Sequence, residues 1–152
     1  MVNSQMICIT GVPGTGKSTI RNMLTDDGLQ CISLDQLARS SGCVDQDNVD
    51  IDCLARKIGV GYRCVESHYS HLLECQFVII MTTREDQLVS RLSGRGYGME
   101  KIDENIGAQR ADIIYYEALE RLPASRIIKV ANDDGTLPSA YRTVKNLIQG
   151  KF

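Results

Sequence analysis

Eight residues near the N-terminus have the types and the spacing of a phosphate-binding loop. Positions 11–18 read GVPGTGKS, which fits the pattern G-x-x-x-x-G-K-[ST], and they follow the apolar residues 6–9. A glycine-rich turn between a strand and a helix points backbone N–H groups at an anion, and Gly14 and Gly16 have no Cβ to block its approach. A chance match in an ordinary turn is the alternative, but the helix-forming residues that follow argue against it. We therefore predict that this loop binds the phosphates of a nucleotide.

Two side chains at the end of the loop are expected to act on those phosphates. The ammonium group of Lys17 would contact the β- and γ-phosphates, and the hydroxyl of Ser18 would bind a magnesium ion. The predicted cofactor is therefore Mg²⁺, bound together with the nucleotide.

Arginines would supply the fixed positive charge that phosphoryl transfer needs. Arg95 lies between two glycines in the segment SGRGYG, which would let its guanidinium approach the phosphates from a mobile loop. Arg39 ends a short predicted helix and could bind an acceptor phosphate through two hydrogen bonds. Arg84 and Arg91 are expected at the surface or in ion pairs.

A carboxylate and an imidazole follow the third predicted strand. Because side chains alternate along a strand, Glu66 and His68 would point to the same side if the strand continued through Ser67. The carboxyl ends of parallel strands line the ligand crevice, so Glu66 is a candidate to bind the magnesium ion. His68 is a candidate to contact a phosphate or to orient a water. The alternative is that both side chains hydrogen-bond the loop backbone.

Strands and helices alternate along the chain without any repeat. Apolar and β-branched runs predict the strands 6–10, 30–33, 62–66, 77–82 and 126–130. Helical periodicity predicts the helices 17–25, 35–40, 48–58, 84–92, 101–122 and 139–149. The fourth strand is apolar from Phe77 to Met81, as is typical of a parallel sheet covered on both faces. The sequence therefore predicts a single α/β domain over residues 1–152, with a three-layer P-loop fold and a five-stranded parallel sheet.

Two polar segments interrupt this alternation. Residues 40–48 (SSGCVDQDN) and residues 93–105 (SGRGYGMEKIDEN) are rich in glycine or in charge. Loops of this kind on a rigid sheet commonly hold substrates, so the first is expected to close over a phosphate acceptor and the second over the donor. Composition alone leaves open two solvent-exposed loops without a gating role.

Composition limits the partners of the protein. The 152 residues are 43% hydrophobic and 24% charged, with a formal net charge of −2. A chain without surplus positive charge is not expected to bind DNA directly, because it cannot neutralise a long track of phosphates. The longest apolar run is too short to span a bilayer, and the N-terminus lacks the pattern of a signal peptide. We therefore expect a cytoplasmic protein with no membrane partner.

The six cysteines are at least ten residues apart, and no C-x-x-C pair of a zinc or redox site is present. Cys8, Cys31 and Cys64 lie in strand-like segments and are expected to be reduced core residues. Cys43 and Cys53 lie in a more polar stretch, where sensitivity to oxidation stays open.

Longer segments of the chain resemble one known family. The segments ITGVPGTGKST, LDQLAR, ESH after the third strand and above all RGYGMEKIDENIGAQRADIIYYEA are similar to the small proteins called adenylate kinase isoenzyme six, in archaeal form. The resemblance extends over nearly the whole chain. The string that begins at Arg95 is far more specific than the phosphate-binding loop alone.

This resemblance implies a nucleoside monophosphate kinase fold with strand order 2-3-1-4-5, an acceptor-binding region at residues 33–56 and a lid at residues 94–104. It implies transfer of the γ-phosphoryl group of ATP to AMP, together with ATPase activity. It also implies a role in small ribosomal subunit maturation through a ribosomal protein of the platform. The implied ATP contacts are Gly14, Gly16, Lys17, Ser18, Thr19, Arg95 and a loop near Asp134.

Two departures from the family pattern lie after the third strand. Many members have Asp-x-His where this chain has Glu66-Ser67-His68, and His71 replaces an acidic residue that often follows. Three functions therefore stay open, namely an AMP kinase, an ATPase-driven ribosome assembly factor with secondary phosphotransfer, and a small-metabolite kinase with a hydroxyl acceptor. A hydroxyl acceptor needs a general base, whereas an anionic AMP phosphate needs none. The lid string favours the first two functions.

Overall fold

The computed structural model describes residues 5–58 and 62–150. Its strands are β1 (Ile7–Thr10), β2 (Ile32–Ser33), β3 (Val44–Asp45), β4 (Asn48–Val49), β5 (Cys64–Glu66), β6 (Phe77–Thr82) and β7 (Ile127–Ala131). Its helices are α1 (Lys17–Asp26), α2 (Leu34–Ser40), α3 (Ile51–Ile58), α4 (Glu85–Gly94), α5 (Met99–Arg110), α6 (Ile113–Leu119) and α7 (Leu137–Ile148).

Five of these strands form a parallel sheet in the order β2-β5-β1-β6-β7. Numbered among themselves, they have the order 2-3-1-4-5, which confirms the predicted fold. The central strand β1 pairs with β5 on one side, where Ile9 is opposite Glu66, and with β6 on the other, where Ile9 is opposite Ile79. The loop that follows β1 therefore emerges at the middle of the carboxyl edge, where ligands bind in open α/β sheets.

Side-chain alternation along the strands builds two apolar layers. Ile7 and Ile9 of β1 pack with residues of α1 and α7, whereas Cys8 between them packs with residues of α2, α3 and α6. A third cluster joins α4 and α5 to the loop after β1, through Val12, Leu88, Leu92, Ile102 and Ile106. The carboxyl edge of the sheet is thus held rigidly from both faces.

The predicted helix 101–122 is wrong, because the chain breaks between α5 and α6. Asp112 at the break has a φ of 58°, in the left-handed region. Ile102 and Ile106 of the predicted apolar stripe are buried, but Ile113 and Tyr116 are exposed. The break lets α5 pack against α4 while α6 packs against β6 and β7, which one straight helix could not do.

Both polar segments are more ordered than a loop. Residues 44–49 form an antiparallel hairpin of β3 and β4, so the predicted helix 48–58 begins only at Ile51. Gln46 and Asp47 at the turn both have positive φ, as two-residue hairpin turns require. In the second segment α4 continues to Gly94 and α5 begins at Met99, which leaves a turn of residues 95–98 instead of the expected long loop.

The expectation that Cys8 is reduced is wrong, because the structure contains the disulfides Cys8–Cys75 and Cys43–Cys53. Cys31 and Cys64 are free and buried, as predicted. Spacing along the chain hid the first pair, since Cys75 precedes β6 and β6 pairs with β1. The second pair joins Cys43, which directly precedes β3, to Cys53 in the first turn of α3. Among the described helices, none has the length and apolarity that crossing a membrane requires.

Candidate active site

The loop between β1 and α1 requires glycine at the two predicted positions. Gly14 and Gly16 have φ values of 93° and 90°, which L-residues rarely adopt. A Cβ at Gly14 would lie 2.8 Å from a methyl group of Leu88, and one at Gly16 would overlap Nδ2 of Asn132. Both glycines therefore let neighbouring side chains press against the loop from outside.

Three side chains donate hydrogen bonds to carbonyl oxygens of the loop. The oxygen of Val12 accepts from Lys17 at 2.9 Å, that of Gly14 from Arg91 at 3.1 Å and that of Thr15 from Asn132 at 2.9 Å. Within the described part of the chain, the N–H groups of residues 14–16 have no hydrogen-bond partner. Donors are thus left for an anion, as a phosphate cradle requires.

Lys17 is buried at the centre of this cradle. Burial lowers the pKa of its ammonium group to about 8; the nearby cation Arg95 also lowers it, whereas the carboxylates Glu66 and Asp35 oppose the shift. Negative phosphate charge would favour the protonated form. The lysine is therefore held where an anionic ligand would gain most from its charge.

A cavity of about 450 Å³ opens beside the loop, within the size range of small-molecule sites. Its lining brings together Gly14, Gly16, Thr19, Arg91, Arg95, Asn132, Asp133, Asp134, Gly135 and Leu137. The structure thus brings the predicted contacts Gly14, Gly16 and Thr19 together with Arg95 and Asp134, whereas Lys17 and Ser18 are not part of this lining. Ser18 lies exposed in the first turn of α1, next to this cavity's Thr19.

Arg91 contributes more to this cavity than the sequence indicated. Its guanidinium donates to the oxygens of Gly14, Thr83 and Asn132 at 3.1 Å each. It also forms a 3.0 Å ion pair with Asp134, which confirms the predicted ion pair but not a surface position. The spacing of four residues from Arg95 was the available signal, because it puts Arg95, the residue that caps the end of α4, one helical turn after Arg91. Arg84 is exposed and pairs with Asp86, as predicted.

Glu66 is buried at the end of β5, on the face of the sheet that α1 covers. Its Oε1 accepts from Nη1 of Arg21 at 2.6 Å. Burial raises the pKa of the Glu66 carboxyl, while the cations Arg21 and Lys17 oppose that shift. The predicted carboxylate is therefore present, with a partner on α1 that the sequence analysis did not identify.

His68 does not join Glu66 in a hydrogen-bonded pair. The strand ends at Glu66, and Ser67 Oγ accepts from the N–H of Tyr69 in the turn that follows. The exposed His68 ring packs edge-on against Tyr69, 5.0 Å between ring centres. Loss of hydration lowers the pKa of His68; Lys17, His71 and Lys101 add to that effect and Asp35 opposes it. Glu66 and His68 are expected on the same side of the strand only if the strand continues through Ser67. The turn at Ser67 means that this condition is not met.

His71 has a structural position. It is buried, with Nδ1 2.9 Å from the hydroxyl of Thr10 and Nε2 3.1 Å from a carboxylate oxygen of Glu117. The imidazole therefore connects the end of β1 to α6.

Arg39 lies exposed on α2, on the other side of β1 from the cavity. Among the described residues its guanidinium has no ion pair or hydrogen bond. Asp35, one turn earlier, accepts from the hydroxyl of Tyr69 at 2.8 Å and so fixes α2 to the turn after β5. Arg39 thus remains available to an external anion.

The residues present fit a magnesium ion that arrives with a nucleotide. Within residues 5–58 and 62–150, no three His, Cys, Asp or Glu side chains form a metal cluster. Mg²⁺ bound to a nucleotide needs only one or two protein ligands beside phosphates and water. The Ser18 hydroxyl has no partner in the described part of the chain, and Glu66 is the carboxylate that acts most strongly on the neighbouring Lys17. The ion would neutralise phosphate charge there.

A cradle of free N–H groups between β1 and α1, in a 2-3-1-4-5 parallel sheet, defines a P-loop nucleotide-binding protein with a kinase fold. The comparisons agree. The family model of the AAA domain (AAA_18) matches residues 7–112. A shikimate kinase from Bacteroides thetaiotaomicron has a TM-score of 0.52 at 14% identity over 95% of this chain and 98% of its own, a likeness of fold alone.

Closer relatives come from archaea. A protein of Thermoplasma acidophilum is 47% identical over 96% of this chain and 99% of its own, and one of Thermoplasma volcanium is 41% identical over 95% of each. Both are named "Putative adenylate kinase". The chain belongs to this archaeal adenylate kinase family of P-loop phosphotransferases.

Proposed function

We propose that the protein transfers the γ-phosphoryl group of ATP to AMP. The observation that carries this proposal is the cradle around Lys17, whose unpaired N–H groups belong to a loop that lines one cavity with Arg91 and Arg95. The high identity to the archaeal relatives supports the same substrates. A P-loop beside a nucleotide-sized cavity would hold the donor, and the α2 side of β1 would hold the acceptor.

The chemistry is a displacement at the γ-phosphorus. An anionic oxygen of AMP forms the new bond to phosphorus, and the bond from phosphorus to the β,γ-bridging oxygen breaks, which gives two molecules of ADP. Because the attacking oxygen is already anionic, no general base is required. The protein contributes position and positive charge.

Each predicted residue has a proposed role in that step. Lys17 and Arg95 stabilise the transferring group, Arg39 binds the acceptor phosphate, and Ser18 and Glu66 hold the magnesium ion of the ATP substrate. The remaining ATP contacts are proposed at Gly14, Gly16, Thr19 and Asp134. We propose residues 33–56 as the acceptor-binding region and residues 94–104 as the lid.

An acceptor assay tests the proposal. ADP formation is measured with ATP plus AMP, CMP, UMP, GMP or buffer alone. We expect AMP to give the largest increase over buffer. ADP formation that no nucleoside monophosphate increases would disprove the kinase function and leave an ATPase or a kinase with a hydroxyl acceptor.

Two further activities rest on the resemblance to the isoenzyme six proteins. ATP hydrolysis would use His68 to orient the attacking water, and its rate is the buffer-alone value of the same assay. A role in small ribosomal subunit maturation requires a platform ribosomal protein as partner. Capture of that protein from purified small-subunit proteins, by immobilised wild-type chain, would support it.

A further inference from the structure

Arg21 lies outside the phosphate-binding motif, yet it is joined to the site. It follows Lys17 by four residues on α1, so both side chains project from the same face of the helix. That face packs against the end of the sheet that carries Glu66. The side chain of Arg21 is 17% exposed, and that of Glu66 is 7% exposed. A carboxylate this deeply buried needs a charged partner to stay ionised.

The contact between the two side chains uses only one carboxylate oxygen. Nη1 of Arg21 donates to Oε1 of Glu66 at 2.6 Å, and Nη2 donates to Oδ1 of Asn22 at 3.2 Å. Oε2 of Glu66 has no hydrogen bond within the described part of the chain. No fully buried side-chain oxygen or nitrogen there lacks a partner, so Oε2 must be reached by solvent. Arg21 thus fixes one oxygen and leaves the other open.

The fixed carboxylate lies next to the strand that leads into the cradle, because Glu66 of β5 is opposite Ile9 of β1. Among its neighbours, Glu66 is the one that most favours the charged form of Lys17. A change in the position of this carboxylate would therefore change the charge balance around the phosphates. No other cation forms an ion pair with Glu66 among the described residues.

We propose that Arg21 is a positioning residue, which holds the Glu66 carboxylate beside Lys17 with Oε2 directed to the phosphate site. The reaction in which Arg21 would act rests on the proposed function, whereas the contact between Arg21 and Glu66 does not depend on it. Arg21 acts through Glu66 and does not touch the substrate. Its removal should slow the reaction without weakening nucleotide binding to the same extent.

A double-mutant cycle tests this proposal. The variants are Arg21→Gln, Glu66→Gln and the two combined, and the measurements are kcat and the KM for ATP. Arg21→Gln should lower kcat by about tenfold or more and change KM by less than about twofold, since the contact matters in the transition state. In the Glu66→Gln background the same change should add less than about twofold, because coupled residues are not additive.

Two matched variants separate positioning from a structural role. Arg21→Lys keeps a cation and should recover most of kcat. Asn22→Ala removes the other contact of the Arg21 guanidinium and should keep wild-type kcat. Thermal unfolding of each variant fixes an assay temperature at which all of them are folded.

Independent losses that multiply in the double variant, or an unchanged kcat in Arg21→Gln, would overturn the proposal. The rates in the double-mutant cycle are those of AMP phosphorylation, or those of ATP hydrolysis if the wild type does not use AMP. A wild type that ignores AMP would thus disprove the proposed function, while the cycle still decides the role of Arg21.

Discussion

At the scale of single residues, Lys17 combines burial with a free charge. Within residues 5–58 and 62–150, its Nζ bonds only the Val12 oxygen of its own loop, so phosphates can replace that acceptor. We predict that Lys17→Ala lowers AMP phosphorylation by a hundredfold or more, as for the loss of a preorganised contact of about 3 kcal/mol. Circular dichroism should show an intact fold. A variant with near wild-type turnover would contradict the role of the loop in catalysis.

Arg91 and Arg95 line the same cavity but differ in their contacts. Arg91 is tied to the Gly14 oxygen and to Asp134, whereas Arg95 begins the turn between α4 and α5. We predict that Arg95→Ala lowers kcat much more than it weakens ATP binding, because its contact forms in the closed state. Arg91→Ala should chiefly weaken ATP binding. ATP affinity is measured by calorimetry and kcat by the turnover assay for each variant. Equal losses in both quantities for Arg95→Ala would exclude the lid role.

At the scale of elements, the Cys43–Cys53 disulfide joins the short segment between α2 and β3 to the first turn of α3, across the hairpin of β3 and β4. We predict that Cys53→Ser lowers the free energy of unfolding by up to about 3 kcal/mol, since a short closed loop is released in the unfolded chain. The KM for AMP should rise more than the KM for ATP. Urea unfolding and steady-state kinetics measure both.

The matched control for this prediction is the double variant Cys43→Ser/Cys53→Ser. If only the bond matters, the double variant should be no less stable than Cys53→Ser alone. Titration of thiols in the denatured, unreduced wild type should find Cys31 and Cys64 only. Wild-type stability in Cys53→Ser would contradict a stabilising bridge.

His71 connects β1 to α6 in a buried site, and burial lowers its pKa, although Glu117 opposes the shift. As the pH falls below about 6.5, the imidazole of His71 is therefore protonated more readily in the unfolded chain than in the folded chain. The free energy of unfolding should fall with pH there, by at most about 1.4 kcal/mol per pH unit for one group. We predict a flatter dependence for His71→Gln in unfolding curves between pH 7 and pH 5. The same slope as wild type would show that His71 does not titrate in this way.

At the scale of the molecule, the sheet could be predicted because its strands are short, apolar and separated by helices. Phe77–Thr82 was predicted to the residue, since a strand buried on both faces shows in the sequence alone. The break at Asp112 could not be predicted from the sequence, because it depends on the elements against which α5 and α6 pack. The same holds for the ion pairs of Arg21 with Glu66 and of Arg91 with Asp134, because these partners lie more than 40 residues apart along the chain.

The topology puts two different surfaces on either side of the phosphate-binding loop. β6 and β7 lie on the side of the cavity with Arg91 and Asp134, whereas β5 and β2 lead to α2 and Arg39. Phosphates held at the end of β1 would lie between these surfaces. The central claim is that a phosphoryl group passes from one to the other.

The most direct test follows the phosphoryl group itself. ATP labelled only in the γ-phosphoryl group is incubated with unlabelled AMP, Mg²⁺ and wild-type protein, with Lys17→Ala as the control, and the products are separated. We predict that the label appears in the β-phosphate of ADP formed from AMP, and that Lys17→Ala gives almost none. Label found only in inorganic phosphate, with AMP unconsumed, would contradict the account.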